Sequence, residues 1–249
     1  MEYESLNVIF KDKVCFIHMN GNNTICEKLV KEFLNVLQKC EEKVTIIVIE
    51  GTQEVFCFGA DFNEIKEQVE NNYAKNYQDL LYTLWYKLAT GPYITIAHVC
   101  GKANAGGIGF VAACDIVLAN KSAKFSLSEM LFGIYPACVM PFLIVRVGFQ
   151  HANYMTLLTR AVSAEKAYEW GLVDEVSENS KSVLGIYLLR LKYLAKSSIC
   201  EYKAYMTKYR SILSENKEYA IEANRNMFSN PITLDNIVKY LDNGKLPWS

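Results

Sequence analysis

The sequence predicts an α/β protein with a largely parallel sheet, and three observations carry that expectation. Short β-branched apolar runs alternate with stretches of helical periodicity as far as about residue 175. Two of these runs, VTIIVIEG (44–51) and YITIAHVCG (93–101), are apolar almost throughout and end in glycine, as parallel strands buried on both faces do. From Lys181 onward the pattern becomes long helices with no strand between them. The expected division is a core over 1–180 and a helical section over 181–249.

The elements follow in order. LNVIFKDKVCFIHM reads as two short strands around the charged turn Lys11-Asp12-Lys13. NNTICEKLVKEFLNVLQKCEEK has helical spacing, with Leu29, Phe33, Leu34 and Leu37 on one face. After VTIIVIEG, the stretch FCFGADFNEIKEQVE reads as a turn and a helix with Asp61 as its N-cap. A Tyr- and Leu-rich helix over 77–89 leads to YITIAHVCG, the loop NAGGIGF, and a third strand, DIVLAN. The uncharged run from Met130 to Val145 is short for a membrane span and contains Pro136 and Pro141, so it reads as buried core.

Composition narrows the function. The chain has 249 residues, 51% of them apolar and 21% charged, with a formal net charge of −1. That balance gives no electrostatic footprint for nucleic acid or an anionic membrane. The eight cysteines form no C-x-x-C pair, and with three histidines no metal-ligand spacing arises. The opening MEYESLNVIFKDK lacks a secretory pattern, so reduced thiols and a cytoplasmic location are expected. His98 is expected in the core.

NAGGIGF (104–110) sets three glycines within four positions after an apolar strand. A dinucleotide fingerprint would match Gly107, Gly109 and Ala112, but the helix before DIVLAN is too short for that unit. A second reading is close helix–strand packing. A third needs a partner loop, and FCFGADFNEI supplies one: each loop follows a strand and opens a helix, leaving unpaired N–H groups at its positive end. Two such amides converging on one point would form an oxyanion hole for an enolate.

FCFGADFNEI, KANAGGIGFVAACDIVLA, AKFSLSEMLFGIYP, AVSAEKAYEWGLVDEV and the ending YLDNGKLPWS together resemble the signatures of the enoyl-CoA hydratase (crotonase) superfamily over nearly the whole chain. The resemblance implies a crotonase (ClpP-like) spiral of ββα units with a C-terminal helical trimerisation region. It also implies oxyanion amides at Ala60 and Gly106, and Glu129 as the acid–base residue. The family's other glutamate matches Gly109. Members that hold coenzyme A commonly carry a basic residue ahead of a proline and N-A motif, and the segment here, HMNGNNTICEK, has neither Pro nor Arg. These departures are most similar to the dehydratases of polyketide β-branching. Such enzymes convert 3-hydroxy-3-methylglutaryl-acyl carrier protein to its 3-methylglutaconyl product and work beside a decarboxylase of the same fold.

That resemblance implies no separate cofactor, the substrate being carried on the phosphopantetheine of an acyl carrier protein, and a homotrimer or hexamer. Gly109 is expected to face the β-carbon and make room for its branch. Tyr82, Tyr86 and Glu64 are candidate substrate contacts. Lys87, Lys102 and Arg146 are candidate partners for the substrate carboxylate, with nothing in the sequence to choose among them. The alternatives are a hydratase, isomerase or decarboxylase acting on an acyl-CoA thioester, or an inactive scaffold of the same fold.

Overall fold

A computed structural model describes residues 3–70, 78–244, 246 and 248. The chain opens with the hairpin β1 (Leu6–Lys11) and β2 (Val14–Met19), then β3 (Thr24–Ile25) and α1 (Glu27–Cys40). Next come β4 (Ile46–Glu50), β5 (Val55–Cys57), β6 (Gly59–Ala60), α2 (Phe62–Glu70) and α3 (Gln78–Thr90). A second unit follows with β7 (Ile94–Val99), β8 (Lys102–Asn104) and α4 (Gly106–Ala113). A third has β9 (Ile116–Asn120), β10 (Lys124–Ser126), a 3-10 turn over Glu129–Phe132 and α5 (Met140–Leu158). Then come β11 (Val162–Ser163), α6 (Ala164–Glu169) and β12 (Glu175–Ser177). The remainder is helical: α7 (Ser180–Leu191), α8 (Lys196–Thr207), α9 (Ile212–Glu215), α10 (Lys217–Phe228) and α11 (Pro231–Asn243).

The strands are shared between sheets in a regular way. The large sheet has the order β1-β2-β4-β7-β9-β12, parallel except for the β1–β2 hairpin. A smaller sheet has the order β11-β10-β8-β5. Each of the pairs β4/β5, β7/β8 and β9/β10 therefore gives its first strand to the large sheet and its second to the small one. Repetition of that step is the ββα spiral.

The small sheet was not visible in the sequence, where FCFG and KAN read as turns. Its strands are three residues or shorter, too brief for an alternation to show.

Glycine permits the step from one sheet to the other. Gly51 directly follows β4, and Gly101 stands between β7 and β8. A Cβ on Gly101 would land on the backbone carbonyl of Glu54, just ahead of β5.

The central strands carry the core. Ile46, Val48, Ile96 and Leu118 on one face of the large sheet pack with Leu184 of α7. Ile47, Ile49, Ala97 and Val117 on the other belong to the cluster holding α1, α3 and α4. The boundary drawn at residue 180 thus separates element types, but α7 packs as a layer of the large sheet.

The α1 face expected from spacing is buried at Leu29, Phe33 and Leu37, with Leu34 packed at its edge. Asp61 caps α2, its Oδ1 accepting from the Asn63 N–H at 3.0 Å. All eight cysteines are free thiols. His98 is buried, with Nδ1 2.6 Å from Glu50 and Nε2 2.9 Å from the Ser180 hydroxyl. No helix among the described residues is long and apolar enough to cross a membrane.

Gly101→Ala should cost about 3 kcal/mol through overpacking against backbone that cannot give way. Urea unfolding followed by circular dichroism would measure it, and a loss under 1 kcal/mol would mean the two sheets separate easily at that point.

Candidate active site

The two glycine turns meet. A Cβ on Gly59, whose φ is +91°, would lie 2.7 Å from Ala105 Cβ and 3.0 Å from the Gly106 amide nitrogen. A Cβ on Gly106 would in turn lie 2.8 Å from Ile25 and 3.6 Å from Gly59 Cα. A side chain on Gly59 would hold the turns apart and one on Gly106 would displace Ile25, so glycine lets Ala60 and Gly106 reach the wall of one cavity. Gly106 opens α4, where backbone amides have no partner within the helix.

Ala105, ahead of Gly106, holds φ 50° and ψ −123°, a conformation that costs an alanine on the order of 1–3 kcal/mol. Its N–H donates to the Ser126 carbonyl at 3.0 Å. Asn104 braces the same turn. Its Nδ2 donates to the Ser128 hydroxyl at 2.9 Å and, at 3.4 Å, to the Phe58 carbonyl, while its Oδ1 accepts from the Ser126 hydroxyl at 2.7 Å. One side chain therefore ties together both glycine turns and the segment that leads to Glu129. Sequence reading passed over Asn104, because asparagine in a loop carries no signal of its partners.

Glu129 starts the 3-10 turn and lines the same cavity, only 9% exposed. Its Oε2 is buried without a hydrogen-bond partner. Burial pushes its pKa up to about 7, against the opposing pull of the Glu129 and Ser128 backbone amides. Asp61 also faces the cavity, but its carboxylate is occupied by the Thr24 hydroxyl at 2.9 Å and by the cap of α2.

The cavity has a volume of about 800 Å³, ample for an acyl thioester arm. The structure brings Ala60, Gly106 and Glu129 together there, and it corrects four further expectations. Tyr82 is fully buried and donates to the Leu213 carbonyl at 2.6 Å, fastening α3 to α9. Tyr86 packs at the edge of the core. Neither lines the cavity; Leu81 and Trp85 of α3 do. The helix is turned by one residue, about 100°, from the face that the tyrosine pair suggested. Glu64 is likewise not among the lining residues, whereas Phe62, Asn63 and Ile65 of its helix are.

Gly109 is the fourth correction. It does not open onto the cavity. A Cβ there would lie 2.5 to 2.7 Å from three atoms of the Trp85 indole, so the ring already fills the space beside it. Trp85 is itself wedged edge-on against Phe110 and Phe142 and cannot move freely.

The carboxylate partners suggested from sequence also lie elsewhere. Lys87 pairs with Glu41 at 2.8 Å, Arg146 binds Asp174 and the carbonyls of Asp115 and Leu172, and Lys102 is not a lining residue. The cavity is closed instead by α10 and α11, through residues that include Arg225, Phe228, Leu234 and Tyr240. Nothing in the sequence foretold that return, because helical periodicity does not say which layer a helix will cover.

Comparison with known proteins fits this geometry. Residues 10–249 match the family model for enoyl-CoA hydratase/isomerase. The bacillaene synthase dehydratase PksH of Bacillus subtilis (strain 168) is 48% identical, over 99% of this chain and 97% of its own. The 2,3-dehydroadipyl-CoA hydratase of Escherichia coli (strain K12) is 30% identical over 63% of this chain and 61% of its own. The crystal structure of the pksH protein from Bacillus subtilis superposes with a TM-score of 0.96 at 48% identity, covering 99% of this chain and all of that one. An enoyl-CoA hydratase from Bacillus halodurans shares the fold, with a TM-score of 0.85 at 18% identity, covering 94% of this chain and 99% of that one.

Two variants check the site. Gly109→Ala should cost about 1–3 kcal/mol because the indole must shift, and Trp85→Ala in the same chain should relieve that cost. A double-mutant cycle on unfolding free energies should show coupling of at least about 1 kcal/mol; simple additivity would mean that the ring does not hold the glycine.

Glu129 should leave a signature in pH. Its folded pKa of about 7 lies above the ordinary 4.5, so the folded state binds the extra proton between those values. The stability from the neutral carboxyl is complete below pH 4.5 and is lost as pH rises through 7. Glu129→Gln should therefore gain on the wild type by roughly 3 kcal/mol between pH 4 and pH 8. A difference in melting temperature that stays flat across that range would contradict a buried, unsolvated carboxyl.

The two adjoining glycine turns, the buried carboxyl, the spiral that positions them and the match along nearly the whole chain show that this protein belongs to the enoyl-CoA hydratase/isomerase (crotonase) family.

Proposed function

We propose that the protein is a dehydratase of polyketide β-branching, acting on a 3-hydroxy-3-methylglutaryl thioester of an acyl carrier protein to give the 3-methylglutaconyl thioester. The observation that carries this reading is a single buried acid–base group, Glu129, beside two converging oxyanion turns, with Trp85 and Gly109 where a second acid would stand. Nearly full-length similarity to a bacillaene synthase dehydratase supports the same reaction class.

The chemistry follows from the geometry. The thioester carbonyl oxygen accepts hydrogen bonds from the Ala60 and Gly106 amides, and the negative charge that develops on it is held there. Glu129, as carboxylate, takes the α-proton, and the C–H electron pair enters the enolate. The enolate then collapses to the α,β-double bond as the Cβ–O bond breaks. The departing hydroxyl takes the proton from Glu129 and leaves as water. One carboxyl serves both steps in a syn elimination, and a pKa near 7 allows it to hold the proton only briefly.

The reading places the reacting arm on the phosphopantetheine of the carrier, with no further cofactor, and a decarboxylase of the same fold next in the sequence. Association as a homotrimer or hexamer is part of the same reading. Exposed apolar side chains on the helices, among them Phe149, Leu157, Leu189 and Tyr219, offer surface for it.

Mass spectrometry of a carrier protein loaded with the hydroxyacyl group should show loss of one water. Glu129→Gln should slow that loss about 10²-fold or more. In the wild type, kcat/KM should fall as pH drops through about 7, as Glu129 becomes protonated. Water loss at the wild-type rate in Glu129→Gln would remove Glu129 from the mechanism. Equal kcat/KM for the carrier and coenzyme A thioesters would favour an acyl-CoA enzyme.

A further inference from the structure

We infer that Arg225 of α10 binds the far carboxylate of the substrate and so makes the site selective for ω-carboxyacyl thioesters. The inference rests on the reaction proposed above, because that substrate brings a free carboxylate into the cavity that Arg225 lines.

The cavity has two ends. On one side of the oxyanion turns the lining residues Phe62, Phe132, Leu234 and Leu241 pack in one apolar cluster. On the other, Leu81, Trp85, Cys138 and Val139 belong to the main core. Trp85, Cys138 and Val139 of the second end are at most 4% exposed, and an acyl chain pointing away from a carrier at the surface would enter there. Those four side chains offer a carboxylate apolar walls, an indole and a thiol, none of which can neutralise its charge. An anion left there without a partner would be strongly disfavoured.

Arg225 supplies that partner. Among the described residues it is the one cationic side chain lining the cavity. Its charge reaches Cys138, a lining residue of that end, and opposes the burial that pushes the thiol up to about 12, while its own side chain stays exposed. It has no ion pair or side-chain hydrogen bond among the described residues, so its donors remain available. By contrast, Lys66, Lys87, Lys203 and Lys217 are each bound to a carboxylate. The planar guanidinium can meet a carboxylate with two parallel hydrogen bonds, a geometry that a lysine at the same place would not reproduce.

The acids that also line the cavity sharpen the selection. Asp61 is a carboxylate held by Thr24, and Glu129 carries charge in its working form. A dicarboxylate substrate is therefore drawn to orient with its free anion toward Arg225 and away from both.

The test compares two pantetheine thioesters, both lacking the phosphate so that Arg225 cannot act on that group. One is 3-hydroxy-3-methylglutaryl-pantetheine; the other is the uncharged 3-hydroxy-3-methylbutyryl-pantetheine. Binding is measured by calorimetry in Glu129→Gln, which cannot turn them over, with Arg225 present or replaced. The charged thioester should bind roughly 10- to 100-fold more tightly with Arg225 in place. Arg225→Gln should abolish that preference with little change toward the uncharged thioester, and Arg225→Lys should keep part of it. Arg225 is exposed, so the variants should melt with their parent.

A preference that survives Arg225→Gln, or a loss that falls equally on both thioesters, would overturn the assignment. The two readings separate cleanly. A charge preference that tracks Arg225 in a protein that never releases water from the carrier thioester would retain the carboxylate site and discard the dehydration. Water loss with equal sensitivity of both thioesters to Arg225→Gln would do the reverse.

Discussion

The contact on which this structure depends is the close approach of two strand-to-helix turns at Gly59 and Gly106. A Cβ on Gly59 would run into Ala105 and the Gly106 amide of the other turn, a Cβ on Gly106 would press on the Ile25 side chain, and Gly59 also needs its positive φ. Around the contact the chain accepts a strained Ala105 and offsets it with hydrogen bonds. Those bonds run through the small sheet, where β8 pairs Asn104 with Ser126 of β10. Two residues beyond Ser126 stands Ser128, bound by Asn104, and then Glu129. The same short parallel register that brings the two turns together thus sets the carboxyl beside them. Positioning of this kind, on paired strands and not on a free loop, is what a site needs if its amides are to meet developing charge without reorganising.

Much of the scaffold was legible because its signals are local. β-branched runs ending in glycine gave the central strands, and the spacing of Leu29, Phe33 and Leu37 gave the buried face of α1. Asp61 ahead of its helix gave a true cap. The approach of the two glycine turns was legible for a stronger reason: the same strand–turn–helix arrangement occurs twice, and duplication is harder to explain by packing alone.

What stayed hidden depends on tertiary neighbours. Strands as short as Gly59–Ala60 or Val162–Ser163 have too few residues to show a period. The helix α3 is apolar around much of its circumference, with Tyr82, Leu84, Trp85 and Leu88 all buried. Its sequence therefore offers no single stripe, and the choice between the 82/86 face and the 81/85 face is made by what packs against it. Gly109 misled for a related reason. A glycine in a ligand loop marks room, but the sequence does not say what occupies the room, and here it is an indole from a helix some two dozen residues earlier.

That indole bears on why one carboxyl can serve. Glu129 owes its raised pKa to burial, and its Oε2 has no hydrogen bond to hold the ionised form. A second carboxylate beside it would add like-charge repulsion and push the proton still harder onto Glu129, leaving little base at neutral pH. Trp85 fills the space beside Gly109 without charge, and Glu129, raised to about 7 by burial, would on the proposed mechanism both take a proton and return it. A substrate carrying its own carboxylate strengthens the same constraint, because its anion would add to the repulsion that a second acid creates. Replacing the acid with a neutral ring therefore suits a single-base elimination on an anionic substrate, whereas a neutral acyl chain would place no such demand on the site.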